Sequence, residues 1–336
     1  MMRVALIGAG GMASVHANCY SKMENAELVG VYDLRFDAAQ LLADKHNAYA
    51  FSDFEILLTE TRPDVVDVCC PTPWHREYVC RAAELSAELG IQGISVEKPM
   101  GRTLADCDAM IAACELSGIP LFVAHVVRFF PEFVRARNAI LDGAVGIPAA
   151  IRTRRGVSMP HAWNDWYANF AWSGGCILDL IIHDFDWLRW TFGEVERVYA
   201  KNLGDTNLPL CDFALVTLRF ESGAIAHVEG SWADPSGFNV SFEIAGDAGL
   251  LEYTFNQPST PPFRKAIYDA DTTKVRATLP ESPTNTDPYF VELSHFLNCL
   301  ETGAKPSISP QDGRAAVQIA LAALESAQTG KAITLR

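Results

Sequence analysis

The stretch Arg3-Val4-Ala5-Leu6-Ile7-Gly8-Ala9-Gly10-Gly11-Met12-Ala13 decides the fold. A short apolar run ends in a glycine-rich string, and a helical pattern follows over Gly11–Met23. Strand, tight turn and helix in that order describe a pocket for a dinucleotide pyrophosphate. Gly8 permits the turn, Gly10 lets the backbone approach the phosphates, and small Ala13 lets helix and strand pack closely. The helix start at Gly11-Met12 offers N–H groups and a partial positive charge to the anion.

Outward from this unit, Ala26–Asp33 reads as the next strand. Asp33 stands twenty residues after Ala13, where a carboxylate accepts hydrogen bonds from an adenosine ribose. A carboxylate there repels a 2′-phosphate, so NAD is expected over NADP, while nearby Arg35 is a residue that suits such a phosphate. The other reading of Asp33 is a helix N-cap before Phe36–His46. Strand-like runs at Val65–Cys70, Ile91–Glu97 and Pro120–Ala124 alternate with helical patterns at Trp74–Leu89 and Leu104–Ser117. This alternation predicts an α/β domain with a parallel sheet, and the strands are nearly all apolar, as strands covered on both faces must be.

From about Val126 the texture changes. A helix is predicted over Phe130–Leu141, then β-like segments at Ala149–Arg155, Val195–Leu203, Phe213–Phe220, Ala224–Trp232 and Asn239–Ala245. Helical patterns occupy Gly175–Phe192, Pro288–Leu300 and Asp312–Thr329, and Pro258–Pro283 reads as surface loop with edge strands. The expected organisation is a dinucleotide-binding domain over residues 1–124 and an α+β domain over 125–336 with a large, mostly antiparallel open sheet.

Two further motifs carry chemistry. Glu97-Lys98-Pro99 follows a central strand, and ligands of open α/β sheets bind beyond the carboxyl ends of strands. A lysine there donates to a substrate oxygen and stabilises negative charge developing on it. Read alone, the tripeptide is equally a surface lysine after a strand. In Asp179-Leu180-Ile181-Ile182-His183, one regular helix at about 100° per residue stacks Asp179, His183 and Asp186 on one side, opposite Ile181, Ile182, Phe185 and Leu188. A carboxylate one turn from an imidazole holds its tautomer and suits it to general-base work. The plainer alternative is a solvated polar face, and no metal site is expected. Trp163, Trp166 and Trp172 precede this helix. Their faces suit the C–H faces of a sugar ring, and Trp163 is taken as a substrate contact, although buried tryptophan is commonly core.

The charge balance limits the partners. With 27 Lys+Arg against 41 Asp+Glu, the net charge of −14 argues against nucleic acid or an anionic membrane surface. Val4–Ile7 is too short for a signal segment, and no stretch approaches the ~18 apolar residues of a spanning helix. Nine cysteines without a Cys-x-x-Cys pair fit reduced thiols in the cytoplasm.

Taken together, these motifs resemble the glucose–fructose oxidoreductase/inositol dehydrogenase/rhizopine-catabolism (Gfo/Idh/MocA) family over essentially the whole chain. The matching elements are Gly8–Ala13, Pro71-Thr72-Pro73-Trp74-His75, Glu97-Lys98-Pro99, and Ser173-Gly174-Gly175 leading to Asp179 and His183. Ile182-His183-Asp184-Phe185-Asp186 looks especially like the inositol dehydrogenases. The resemblance implies a Rossmann domain followed by an α+β domain whose open sheet builds homodimers or homotetramers. It implies NAD or NADP as cofactor and a sugar, inositol or related polyol as substrate. Lys98, Asp179 and His183 would act together, with His183 as proton acceptor. Pro71, Thr72 and His75 would lie near the nicotinamide ribose, Glu97 beside the cofactor, and Arg128 beside the substrate. The family also includes NAD-dependent glycosidases that oxidise a sugar transiently, and non-catalytic dinucleotide-binding regulators.

Overall fold

The computed structural model describes residues 1–203, 212–234, 237–255 and 287–335. The loop expected over Pro258–Pro283 lies outside them. The chain divides into two compact units, one running from Met1 to Phe129 with a late segment that ends at Val317, the other beginning at Phe130 and including the chain from Gln318 onward.

The first unit alternates β1 (Met2–Ile7), α1 (Gly11–Tyr20), β2 (Ala26–Tyr32), α2 (Phe36–His46), β3 (Tyr49–Phe51), α3 (Phe54–Thr61), β4 (Val65–Val68), α4 (His75–Leu89), β5 (Gly93–Glu97), α5 (Leu104–Ser117) and β6 (Leu121–Ala124). The six strands form one sheet in the order β3-β2-β1-β4-β5-β6, with every pair parallel. Val4 to Ile7 are wholly buried, as are Val66, Val68, Ile94 and Val96. That burial explains the continuous apolar runs. Strand order reverses between β1 and β4, the switch point at which a crevice opens beyond the strand ends.

Two elements, β3 and α3, escape the sequence reading. A three-residue strand has no periodicity to detect, but their signals are present locally. Asn47 ends α2 with a left-handed φ of 56°, and the Asp53 carboxylate caps α3 by accepting from the Ile56 N–H at 2.9 Å.

The second unit carries α6 (Pro131–Leu141), β7 (Pro148–Gly156), α7 (Phe170–Ser173), α8 (Gly175–Asp179), α9 (Ile182–Phe192), β8 (Val195–Asn202), β9 (Phe213–Phe220), β10 (Ile225–Ser231), β11 (Asn239–Gly246) and β12 (Leu250–Thr254). The chain then returns to the first unit with α10 (Pro288–Thr302). It ends in α11 (Pro310–Thr329) and β13 (Ile333–Thr334). The second sheet runs β12-β11-β7-β10-β9-β8-β13 and is antiparallel except for β7 with β10. Its strands alternate as a one-sided sheet must: Ala214, Val216, Leu218 and Phe220 of β9 are buried, while Leu215 and Arg219 face outward. On the buried side Trp187 of α9 stacks on Phe242 of β11 and donates its indole N–H to the Phe133 carbonyl at 3.2 Å. Among the described residues, no helix is long and apolar enough to cross a membrane.

Candidate active site

In the first unit the predicted ligand residues gather at the carboxyl edge of the sheet. Gly8 follows β1 with φ +105°, and a Cβ there would lie 2.9 Å from the Cys70 nitrogen, so only glycine fits. Gly10 and Gly11 are exposed, and a Cβ built on either meets nothing within 4 Å. Gly10 caps α1 without a side-chain bond, Met12 is half-buried and Ala13 is buried against the sheet. An uncapped helix start with glycines facing open space fits a dinucleotide pyrophosphate.

Asp33 is not the N-cap of α2, since Arg35 occupies that position. Its carboxylate instead accepts from the Ala9 N–H and the Arg35 N–H, each at 2.8 Å, and lies 3.4 Å from the Arg35 Nε. It therefore ties the glycine turn to the end of β2 and holds the Arg35 cation against itself. Pro71 opens the short 3-10 turn Thr72–Trp74, with Thr72 buried, and α4 begins at His75. His75 is buried with Nε2 2.8 Å from the Cys70 carbonyl and Nδ1 3.0 Å from that of Pro99. Burial lowers its pKa, against the opposing pull of the Cys70, Met100 and Pro99 carbonyls and of Glu97.

Lys98 follows β5 directly and is half-buried, and its peptide to Pro99 is cis. Its N–H donates to its neighbour's carboxylate, Glu97 Oε2, at 2.9 Å. Glu97 Oε1 lies 3.2 Å from Nε2 of His16, whose Nδ1 is 2.8 Å from Asp67 Oδ2. The Tyr20 hydroxyl donates to the same Asp67 oxygen at 2.9 Å, and Cys69 Sγ lies 3.2 Å from His16 Nδ1. Burial opposes a charged His16, but Cys69 and Asp67 more than offset it, and the imidazole pKa stands well above its ordinary value. Burial pushes the Cys69 thiol up, with Asp67 adding to the effect. His16, Asp67 and Cys69 are also the one group of metal-capable side chains among the described residues whose ligand atoms fall within 4.8 Å.

This network was missed in sequence. Asp67 was its signal: a carboxylate inside Val65-Val66-Asp67-Val68, a strand otherwise wholly apolar and covered on both faces. Arg128, also in this unit, is buried and donates to the Ser307 carbonyl at 3.1 Å, with Asp312 3.4 Å away.

In the second unit the Asp179–His183 segment departs from expectation. The single helix over Gly175–Phe192 is two helices, α8 ending at Asp179 and α9 starting at Ile182. Ile181 has ψ of 3°, and its N–H reaches back five residues to the Cys176 carbonyl at 2.9 Å. Packing explains the break. Ile181 Cγ2 sits so near β10 that a Cβ on Gly230 would lie 2.6 Å from it. Asp179 thus closes one helix and His183 falls in the first turn of the next, so regular i, i+4 stacking does not relate them.

Nor is the polar side of this segment solvated. Asp179, Asp184 and Asp186 are all buried, while His183 is half-buried. Asp184 accepts from Arg155 Nε of β7 at 2.6 Å, with both side chains at most 3% exposed, a pairing that the sequence pattern does not announce. The chain enters α8 through Gly174 and Gly175, both left-handed, and a Cβ on Gly175 would lie 2.6 Å from Asp212 Oδ2. That carboxylate also accepts from the Cys176 N–H at 2.7 Å. Trp163 is 44% exposed, whereas Trp166 is buried and stacks on Tyr167 at 3.9 Å.

Comparison with known proteins follows the two units. Residues 2–125 match the oxidoreductase family with an NAD-binding Rossmann fold, and residues 133–252 match the GFO/IDH/MocA C-terminal domain. Myo-inositol 2-dehydrogenase of Thermotoga maritima is 29% identical over 342 residues, spanning 99% of this chain and 98% of its own. D-apiose dehydrogenase of Paraburkholderia graminis is 27% identical, spanning 99% and 89%. The crystal structure of a myo-inositol dehydrogenase from Corynebacterium glutamicum superposes with a TM-score of 0.79 at 25% identity, covering 100% of this chain and 99% of that one. A glycine turn built for a dinucleotide, a lysine at the sheet edge and matches spanning both units lead to one assignment: the chain belongs to the Gfo/Idh/MocA family, as a dehydrogenase with an NAD-binding Rossmann fold.

Proposed function

We propose that this dehydrogenase oxidises a secondary alcohol of a cyclic polyol or sugar, reversibly, and uses NAD in preference to NADP. The observation that carries the reading is the fixing of Lys98 at the ligand edge of the first sheet, through its own N–H on Glu97. The preference for NAD rests on Asp33, whose carboxylate stands at the end of β2 with Arg35 held against it. The substrate class follows the relatives, named as dehydrogenases of myo-inositol and D-apiose.

Gly8, Gly10, Gly11, Met12, Ala13, Asp33 and Arg35 hold the adenosine and pyrophosphate half of the cofactor. Pro71, Thr72, His75, Glu97 and Lys98 serve the nicotinamide half. When bound, NAD supplies the hydride acceptor. His183 takes the hydroxyl proton of the substrate, and Asp179 orients the imidazole. The Lys98 ammonium donates to the same substrate oxygen and stabilises the charge that develops there. Arg128 and Trp163 serve substrate binding, Arg128 from a buried position and Trp163 from an exposed one.

The protein is read as a cytoplasmic homodimer or homotetramer. The eight cysteines among the described residues are free thiols, and Tyr199, Leu215 and Ile225 expose apolar surface on the outward side of the second sheet. Lys98→Ala tests the catalytic reading. Turnover should fall about 10²–10³-fold while NAD binding by calorimetry persists. Unchanged turnover would remove Lys98 from the mechanism.

A further inference from the structure

The Lys98 side chain is useful only if its backbone is held at a fixed place relative to the helix that receives the pyrophosphate. In the first unit a buried chain of contacts links the two. His16 lies on α1, five residues after Gly11. One ring nitrogen reaches Asp67 on β4 at 2.8 Å, and the other reaches Glu97 at the end of β5 at 3.2 Å. The second oxygen of Glu97 accepts the Lys98 N–H. His16 and Asp67 have no solvent exposure, and Glu97 is 6% exposed.

The groups facing His16 are Asp67 and Cys69 from β4 and its end, Glu97 from β5, Tyr20 from α1 and the Tyr289 ring of α10, centred 6.5 Å away. Two carboxylates converge on one imidazole: Asp67 at hydrogen-bond spacing from Nδ1, and Glu97 at ion-pair distance from Nε2 without hydrogen-bond geometry, so the second contact is one of charge. Hydrogen-bond spacing between His16 and Asp67, with Tyr20 donating to the same oxygen, describes a closed polar network rather than an open ligand cage.

We propose that His16, by binding Asp67 through one ring nitrogen and Glu97 through the other, is a positioning residue that fixes Lys98 relative to the dinucleotide-facing end of α1. It touches neither substrate nor cofactor and acts through Glu97. The role rests on the reading of Lys98 given above, so its test must separate the two.

The test is a double-mutant cycle in the full-length protein, using His16→Gln, Lys98→Ala and the pair. Kinetics are read with NAD and whichever of myo-inositol, scyllo-inositol or D-glucose the wild type oxidises. His16→Gln should lower kcat by about 10–100-fold, the scale of a displaced catalytic group, and leave KM for NAD within about threefold. In the Lys98→Ala background the same substitution should cost almost nothing further. An equal loss in both backgrounds would mean that His16 only stabilises the fold, and would overturn the proposal. If Lys98→Ala alone turns over like wild type, the underlying reading of Lys98 fails instead, and visibly so.

A second readout needs no turnover. The rate at which acetic anhydride acetylates Lys98, read by peptide mass spectrometry, should change several-fold in His16→Gln, while Lys22 and Lys305 keep their rates. An unchanged Lys98 rate would overturn the proposal. Should His16→Gln fail to fold, Asp67→Asn carries both measurements, because it weakens the hold on His16 and leaves Glu97 and the Lys98 N–H unaltered.

Discussion

Each unit carries a buried ionic contact one residue away from a side chain proposed to do chemistry, but the two contacts are built differently. Beside Lys98, Glu97 belongs to a network spread over α1, β4 and β5, in which His16, Asp67, Tyr20 and Cys69 share the load. Beside His183, Asp184 meets one charged partner among the described residues, Arg155 of β7, at 2.6 Å. A network redistributes when one member is neutralised. An isolated buried pair leaves its survivor charged and without its partner, and that is the costlier outcome. The first arrangement is suited to holding a backbone in register, the second to pinning the first turn of a helix to a sheet.

The comparison can be broken most sharply at the side chains proposed to be catalytic. His183→Ala should lose about 10²–10⁴ in kcat, the contribution of a positioned general base, with NADH binding by fluorescence unchanged. A comparable loss in NADH binding would place His183 on the cofactor instead. Next in size, Asp184→Asn should destabilise the protein by about 3–5 kcal/mol in denaturant unfolding, because Arg155 stays buried without its counter-charge. A cost below about 1 kcal/mol would show that the pair is not what anchors α9.

Asp33→Asn keeps the shape that accepts the Ala9 N–H and removes the charge. The NADP-to-NAD ratio of kcat/KM should rise about tenfold, equivalent to about 1.4 kcal/mol. An unchanged ratio would detach cofactor choice from this carboxylate. The smallest effect concerns pH. The His16 pKa is raised in the folded protein, so its stabilisation is complete below the unfolded value of about 6.5 and is lost as pH climbs through the higher folded value. The Tm advantage of wild type over His16→Gln, about 1–2 °C for each kcal/mol in a chain of this length, should therefore be largest near pH 6 and shrink in alkali. An advantage that grows with pH would contradict a charged His16.

The same contrast explains what could be read in advance. The Rossmann unit was legible because its signals are local: apolar strands covered on both faces, a glycine string, and an acid twenty residues on. The network beneath it was not, since Asp67 stands 51 residues after His16 and Glu97 a further 30 on, and they meet only when β4 and β5 pair beside β1. In the second unit, residue type and spacing single out Asp179 and His183 on the expectation of one continuous helix, which the structure divides. The break at Leu180-Ile181 arises from the seating of Ile181 against Gly230, a contact between residues 49 apart that helical periodicity does not carry. Asp184 lies between His183 and Asp186, and its partner Arg155 stands in a run, Arg152-Thr153-Arg154-Arg155, where nothing local separates the buried arginine from exposed Arg152 and half-buried Arg154.

The most direct test of the central claim is reduced-nicotinamide absorbance, with NAD and then NADP, over a panel of inositols, aldoses and their keto and lactone forms. The expected result is NADH formation with at least one cyclic polyol or sugar, slower or absent with NADP, and abolished in His183→Ala. Silence across the panel, from a protein that binds NAD by calorimetry, would contradict the dehydrogenase reading for this substrate class.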